Sequence, residues 1–117
     1  MSGPRVLVLG AGGMLGSAVV PVLAAQGFCV AASARRPLPA PAGGIFLPGG
    51  DLRDAACLRQ TVDDAAPDVV VNCAGLVKQR ADAQDAITAI ETNALLPHRL
   101  AALCGARSAR LLHISTD

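Results

Sequence analysis

Val6-Leu7-Val8-Leu9-Gly10-Ala11-Gly12-Gly13-Met14-Leu15-Gly16 reads as a strand, a tight turn and a helix start within eleven residues. The four leading apolar residues suit a parallel strand buried on both faces. Gly10, Gly12, Gly13 and Gly16 remove side chains where the backbone must turn, admit a ligand and pack a helix closely on the strand. The first helical turn then offers unpaired N–H groups and a partial positive charge, the requirements for holding a phosphate.

Outward from this stretch, Leu15, Val19, Val22 and Leu23 recur at helical spacing, with Gly27 as the stop and a bend expected near Ser17 to Pro21. Phe28 to Ala32 reads as a second strand. Residues 37–44, Pro-Leu-Pro-Ala-Pro-Ala-Gly-Gly, exclude a helix, so the crossover to a third strand, Ile45 to Leu47, is extended coil. Asp54 is placed to cap a helix with Ala55, Leu58, Val62 and Ala65 on its buried face, and Pro67 closes it. Val69 to Gly75 reads as a central strand with a polar, glycine-containing exit. Ala81 to Cys104 has helical spacing interrupted by Pro97, Gly105 stops it, and Leu111 to Ser115 forms a fifth strand. Right-handed crossovers through this alternation predict an α/β fold over residues 1–117: a Rossmann-type doubly wound parallel sheet of order 3-2-1-4-5. Ligands of such sheets bind at the C-terminal strand ends, where the glycine turn, Arg35, Asp51, Asn72 and Thr116 would gather.

Composition agrees. The 117 residues are 52% hydrophobic but only 2% aromatic, which suits a core of Ala, Val, Leu and Ile between helices and sheet. A net charge of +1, without a basic stripe or stacking aromatics, argues against a nucleic-acid surface. Residues 6–34 carry no charge, but the glycines, Pro21 and Gln26 make strand, turn and helix a better reading than a membrane span or signal peptide. Cys29, Cys57, Cys73 and Cys104 are far apart and lack metal-ligand spacing, so they read as reduced thiols, and a cytoplasmic location is expected. No metal site is expected.

The turn fits G-x-x-G-x-x-G at 10, 13 and 16 rather than G-x-G-x-x-G, since Leu15 sits where the latter wants its last glycine. Taken with Asn72-Cys73-Ala74-Gly75, Asn93 and Ile114-Ser115-Thr116-Asp117, the chain resembles the extended short-chain dehydrogenase/reductases over its whole length. Within that group it is most similar to the dTDP-4-dehydrorhamnose reductases, whose fifth strand ends in a His-x-Ser-Thr-Asp run. The resemblance implies cofactor contacts from Gly10, Gly12, Gly13, Met14, Leu15 and Gly16, with Cys73, Ala74 and Gly75 passing the ribose and nicotinamide. It implies that Thr116, with Ser115 as second choice, hydrogen-bonds the substrate oxygen, and that Asn93 supports the site. Asp51 is implied to accept from the adenine amino group with Leu52 beside the ring; a turn or capping acid is the equal alternative.

Arg35 and Arg36 stand where NAD-binding folds place an acid for the ribose hydroxyls. Two guanidiniums suit a 2′-phosphate, so NADP(H) is expected, with NAD(H) as the alternative. Lys78 and Arg80 read as a solvated loop or as phosphate contacts. His113 reads as a core histidine, His98 as a surface residue, and Asn72 as a brace of the strand edge.

The family's proton donor is a Tyr-x-x-x-Lys pair, whereas this sequence holds no Tyr and its only lysine is Lys78. The chain is therefore expected to be the N-terminal part of a longer reductase, inactive alone, whose substrate is a nucleotide sugar. The alternatives are a nucleotide-sugar epimerase or dehydratase, and a non-catalytic module such as the regulatory subunit of methionine adenosyltransferase. The fifth strand would be an exposed edge, so self-association is expected.

Overall fold

The computed structural model describes residues 3–49, 52, 54–74 and 95–114. Along the chain run β1 (Arg5–Leu9), α1 (Met14–Ala25), β2 (Cys29–Ala34), β3 (Ile45–Pro48), α2 (Ala55–Ala65), β4 (Val69–Asn72), α3 (Leu96–Arg107) and β5 (Arg110–His113). The strands form one parallel sheet of order β3-β2-β1-β4-β5. This is the expected doubly wound arrangement.

The pleat of β1 divides the core into two. Val6 and Val8 face α1, where Ala11, Val30, Ala32, Val71 and Cys73 join them and Leu15, Val19, Val20, Leu23 and Ala24 pack from the helix. Leu7 and Leu9 face the other side and meet Leu58, Val62 and Ala65 of α2 with Leu96, Leu100 and Cys104 of α3. Residues buried on both faces explain why β1 and β2 read as unbroken apolar runs.

Local chemistry sets the boundaries. Asp54 caps α2, its Oδ1 accepting from the backbone N–H of Ala56 at 2.9 Å and Cys57 at 3.3 Å, and Ala66 ends that helix in the left-handed region before Pro67. At the other end of the molecule Asp68 Oδ2 accepts from Arg5 N at 2.9 Å, tying the start of β1 to the start of β4. Arg107 of α3 meets Asp63 of α2 at 2.8 Å, a surface pair worth at most about 1 kcal/mol.

Several expectations are corrected. β2 begins at Cys29 and runs through Ala34, β3 extends to Pro48, and β5 is described as Arg110–His113. α1 is continuous through Pro21, an exposed position, so the carbonyl deprived of its partner can turn to water. Val22 is 60% exposed, its expected core place being taken by Val20 and Ala24. Of the four residues expected on the buried face of α2, Ala55 is exposed, while Thr61 is buried and donates to the Cys57 carbonyl at 2.9 Å. The expected helix 81–104 is described only from Leu96, with Pro97 in its first turn where a missing N–H costs nothing.

Gly105 does not stop α3. The helix continues to Arg107 and closes at Ser108, which takes φ 59°. Gly105 is exposed, and a Cβ there would meet no atom of the described residues within 4 Å. Gly105→Ala is therefore expected to raise stability by about 0.5–1 kcal/mol, read as a thermal midpoint roughly 2–4 °C higher. A lowered midpoint would contradict this placement.

Candidate functional site at the C-terminal edge of the sheet

The glycines after β1 divide into two kinds. Gly10 takes φ 74°, and a Cβ on it would lie 2.8 Å from Ala74 N and 2.9 Å from Ala74 Cα. A Cβ on Gly16 would run into the Gly10 carbonyl and lie 2.7 Å from Ala11 Cα. Both positions are closed by backbone, so the fold itself needs glycine there. Gly13 N donates to Gly10 O at 3.1 Å and Ala11 N to Ser33 O at 2.9 Å, which holds the turn against the end of β2.

Gly12 and Gly13 are different. Both are exposed, and added Cβ atoms would make only ordinary contacts, 3.5 Å to Ala34 Cβ at Gly12 and 3.5 Å to Gly10 O at Gly13. Gly13 has φ −79°, open to any residue. Nothing among the described residues requires bare backbone at these two positions, where a side chain would make only ordinary contacts. Gly13 is also the N-cap of α1, with no side-chain hydrogen bond and no acid in the first turn. α2, capped by Asp54, is the internal contrast. The open backbone and the uncapped helix start suit a diphosphate, so the residues present fit a dinucleotide.

On the β2 side, Arg35 and Arg36 follow the strand immediately and are exposed. Leu38 is half-buried against the α1-side core and closes the space beside Gly12. On the β4 side, Cys73 N donates to Leu9 O at 3.0 Å, and Ala74 lies against Gly10. The Cys73 side chain is buried in the α1-side core and burial pushes its thiol pKa up, so it stays protonated and only its backbone borders the site. Burial raises Cys104 in the same direction, and all four cysteines are free thiols. Leu15 likewise packs its side chain into the core, whereas Met14 is 94% exposed beside the turn. Leu52 is half-buried against the α2-side core.

Asp51, Gly75, Lys78, Arg80, Asn93, Ser115 and Thr116 lie outside the described residues. His98 is exposed on α3. Asn72 is completely buried and braces the strand edge as expected: its Oδ1 accepts from Ala74 N at 3.0 Å and its Nδ2 lies 2.8 Å from His113 Nδ1. His113 is the correction here. It is exposed rather than in the core, on the strand at one end of the described sheet, where Leu112 is also 57% exposed.

Two features escaped the sequence reading. One is the Asn72–His113 pair, which only the register of β4 against β5 brings together. The other is Ser33, 1% exposed near the end of β2, whose Oγ has no hydrogen-bond partner among the described residues. Its small polar side chain in an apolar strand was the available signal. No helix among the described residues is long and apolar enough to cross a membrane.

The geometry has counterparts. The model of the NAD dependent epimerase/dehydratase family matches residues 6–117. A dTDP-4-dehydrorhamnose reductase from Streptomyces griseus is 37% identical over 114 residues, covering 97% of this chain and 34% of that protein. A dTDP-4-keto-6-deoxy-D-glucose reductase from Streptomyces niveus is 34% identical over 113 residues, covering 97% of this chain and 35% of that protein. Among solved structures, the Bordetella bronchiseptica enzyme WbmG in complex with NAD and UDP superposes with a TM-score of 0.75 at 26% identity, covering 96% of this chain and 37% of that one. The chain thus spans about a third of the length of the curated relatives it matches.

Proposed function

Since the chain belongs to the NAD dependent epimerase/dehydratase family, we propose that it is the dinucleotide-binding part of an NADPH-dependent reductase acting on a nucleotide-linked 4-keto-deoxysugar. The observation that carries this reading is the pair Gly12 and Gly13, bare and exposed at an uncapped helix start where the fold would accept side chains. The backbone N–H groups from Gly12 to Gly16 would hold the diphosphate, with Arg35 and Arg36 beside the adenosine ribose. Ala74 and Gly75 would border the other ribose, Asp51 and Leu52 the adenine, and Asn93 would support the site. The bound cofactor supplies a hydride. Thr116, with Ser115 next to it, would donate a hydrogen bond to the sugar oxygen as negative charge develops there.

The proton that completes reduction needs an acid. This chain holds no Tyr, so the chain alone is proposed to bind and not to turn over. The reductase relatives favour net reduction, whereas the family description and the NAD held by WbmG favour an epimerase or dehydratase that returns its hydride. With full-length protein and dTDP-4-keto-6-deoxymannose, one NADPH oxidised per product is the expected result. Product without net oxidation would establish the second reading in its place.

A further inference from the structure

We propose that His113 is a positioning residue for the dinucleotide site, acting through Asn72, and that it does so only with its ring proton on Nε2. The proposal rests on the dinucleotide reading above, and it begins from an amide whose orientation is fixed. Asn72 Oδ1 accepts from the backbone N–H of Ala74 at 3.0 Å. A backbone N–H can only donate, so the atom facing it is the oxygen and the other end of the amide is NH2. That NH2 lies 2.8 Å from His113 Nδ1. Nδ1 must therefore present its lone pair, which places the proton of the neutral ring on Nε2.

The chain of contacts then runs to the glycine turn. Asn72 is completely buried with His113 in place, so an apolar side chain put there would leave its NH2 facing carbon in place of an acceptor. Rotating the amide to relieve that loss would give up the bond to Ala74 N. Ala74 is the residue that crowds Gly10, its N and Cα standing 2.8 and 2.9 Å from where a Gly10 Cβ would be. The exit of β4 is also held by Cys73 N donating to Leu9 O at 3.0 Å and Ile114 N donating to Asn72 O at 3.2 Å, and both bonds survive removal of the imidazole. Loss of the His113 acceptor is thus expected to loosen Ala74 while leaving the sheet paired.

The 11.8 kDa chain suits ring-nitrogen NMR, with exposed His98 as an internal reference. The expected result at pH 8 is a single Nε2–H tautomer for His113. His113→Leu is expected to weaken NADPH binding about tenfold with unchanged far-UV circular dichroism, and His113→Asn, whose Oδ1 replaces Nδ1 as acceptor, to recover to within about threefold of wild type. An Nδ1–H or solvent-like mixed tautomer overturns the proposal, as does wild-type affinity in His113→Leu. Should His113→Leu not fold, the tautomer and the His113→Asn affinity decide the matter. A wild-type chain that binds neither NADPH nor NADH overturns the dinucleotide reading and with it the role assigned to His113; the tautomer then tests only the Asn72 pairing.

Discussion

Gly16→Ala is expected to lower the thermal midpoint by roughly 12 °C, about 3 kcal/mol, and to remove dinucleotide binding, while Gly13→Ala keeps the midpoint within about 2 °C and loses binding alone. The difference lies in what each Cβ would meet. At Gly16 it enters the Gly10 carbonyl and stands 2.7 Å from Ala11 Cα, and neither backbone atom can swing aside as a flexible side chain would. To make room, α1 must lift from β1, and the α1-side core from Val6 to Cys73 would lose contacts with the helix. At Gly13 the nearest atom is Gly10 O at 3.5 Å, and the backbone is already in an ordinary conformation. Differential scanning calorimetry with parallel NADPH titration separates the two outcomes. Equal midpoints for the two variants would mean that Gly16 is not closed by the turn.

That contrast also shows where a sequence can be read and where it cannot. The run Val6 to Leu9 followed by spaced glycines has one economical solution, a buried parallel strand turning into a helix, and Asp54 ahead of an amphipathic stretch has one economical use as a cap. Both depend on neighbours within a few residues. Gly105, Val22 and His113 depart from what local spacing predicts because tertiary surroundings decide them. A glycine stops a helix only if the following residues gain from leaving it, and here the left-handed turn falls at Ser108, three residues later. Val22 has the spacing of a core residue, yet α1 is so apolar all round that spacing could not select the buried face. His113 sits in an apolar run, but its strand lies at one end of the described sheet, and its partner Asn72 is fixed by a strand order and register that local spacing does not show.

Arg35→Glu is expected to lower NADPH affinity about thirtyfold and to leave NADH affinity within about threefold, reversing the preference between the two. The argument is electrostatic and local. The residues immediately after β2 follow Ser33, whose carbonyl accepts from Ala11 N of the turn, so on the proposed reading they would stand near the ribose that follows a diphosphate at Gly12 and Gly13. The residue at the end of the strand is Ala34, whose side chain offers a ribose hydroxyl no acceptor, and the next two are guanidiniums exposed to solvent. A dianionic 2′-phosphate would gain charge-assisted bonds there, whereas NADH would gain none. Glutamate at position 35 would repel the phosphate and offer the ribose hydroxyls an acceptor, so both effects act in the same direction on selectivity. Because the guanidiniums are in water, raising salt from 0.05 to 0.5 M is expected to shrink the wild-type preference for NADPH and to change NADH binding less. Equal wild-type affinities for NADPH and NADH, or an Arg35→Glu variant that binds NADPH as wild type does, would assign Arg35 and Arg36 to solvation instead.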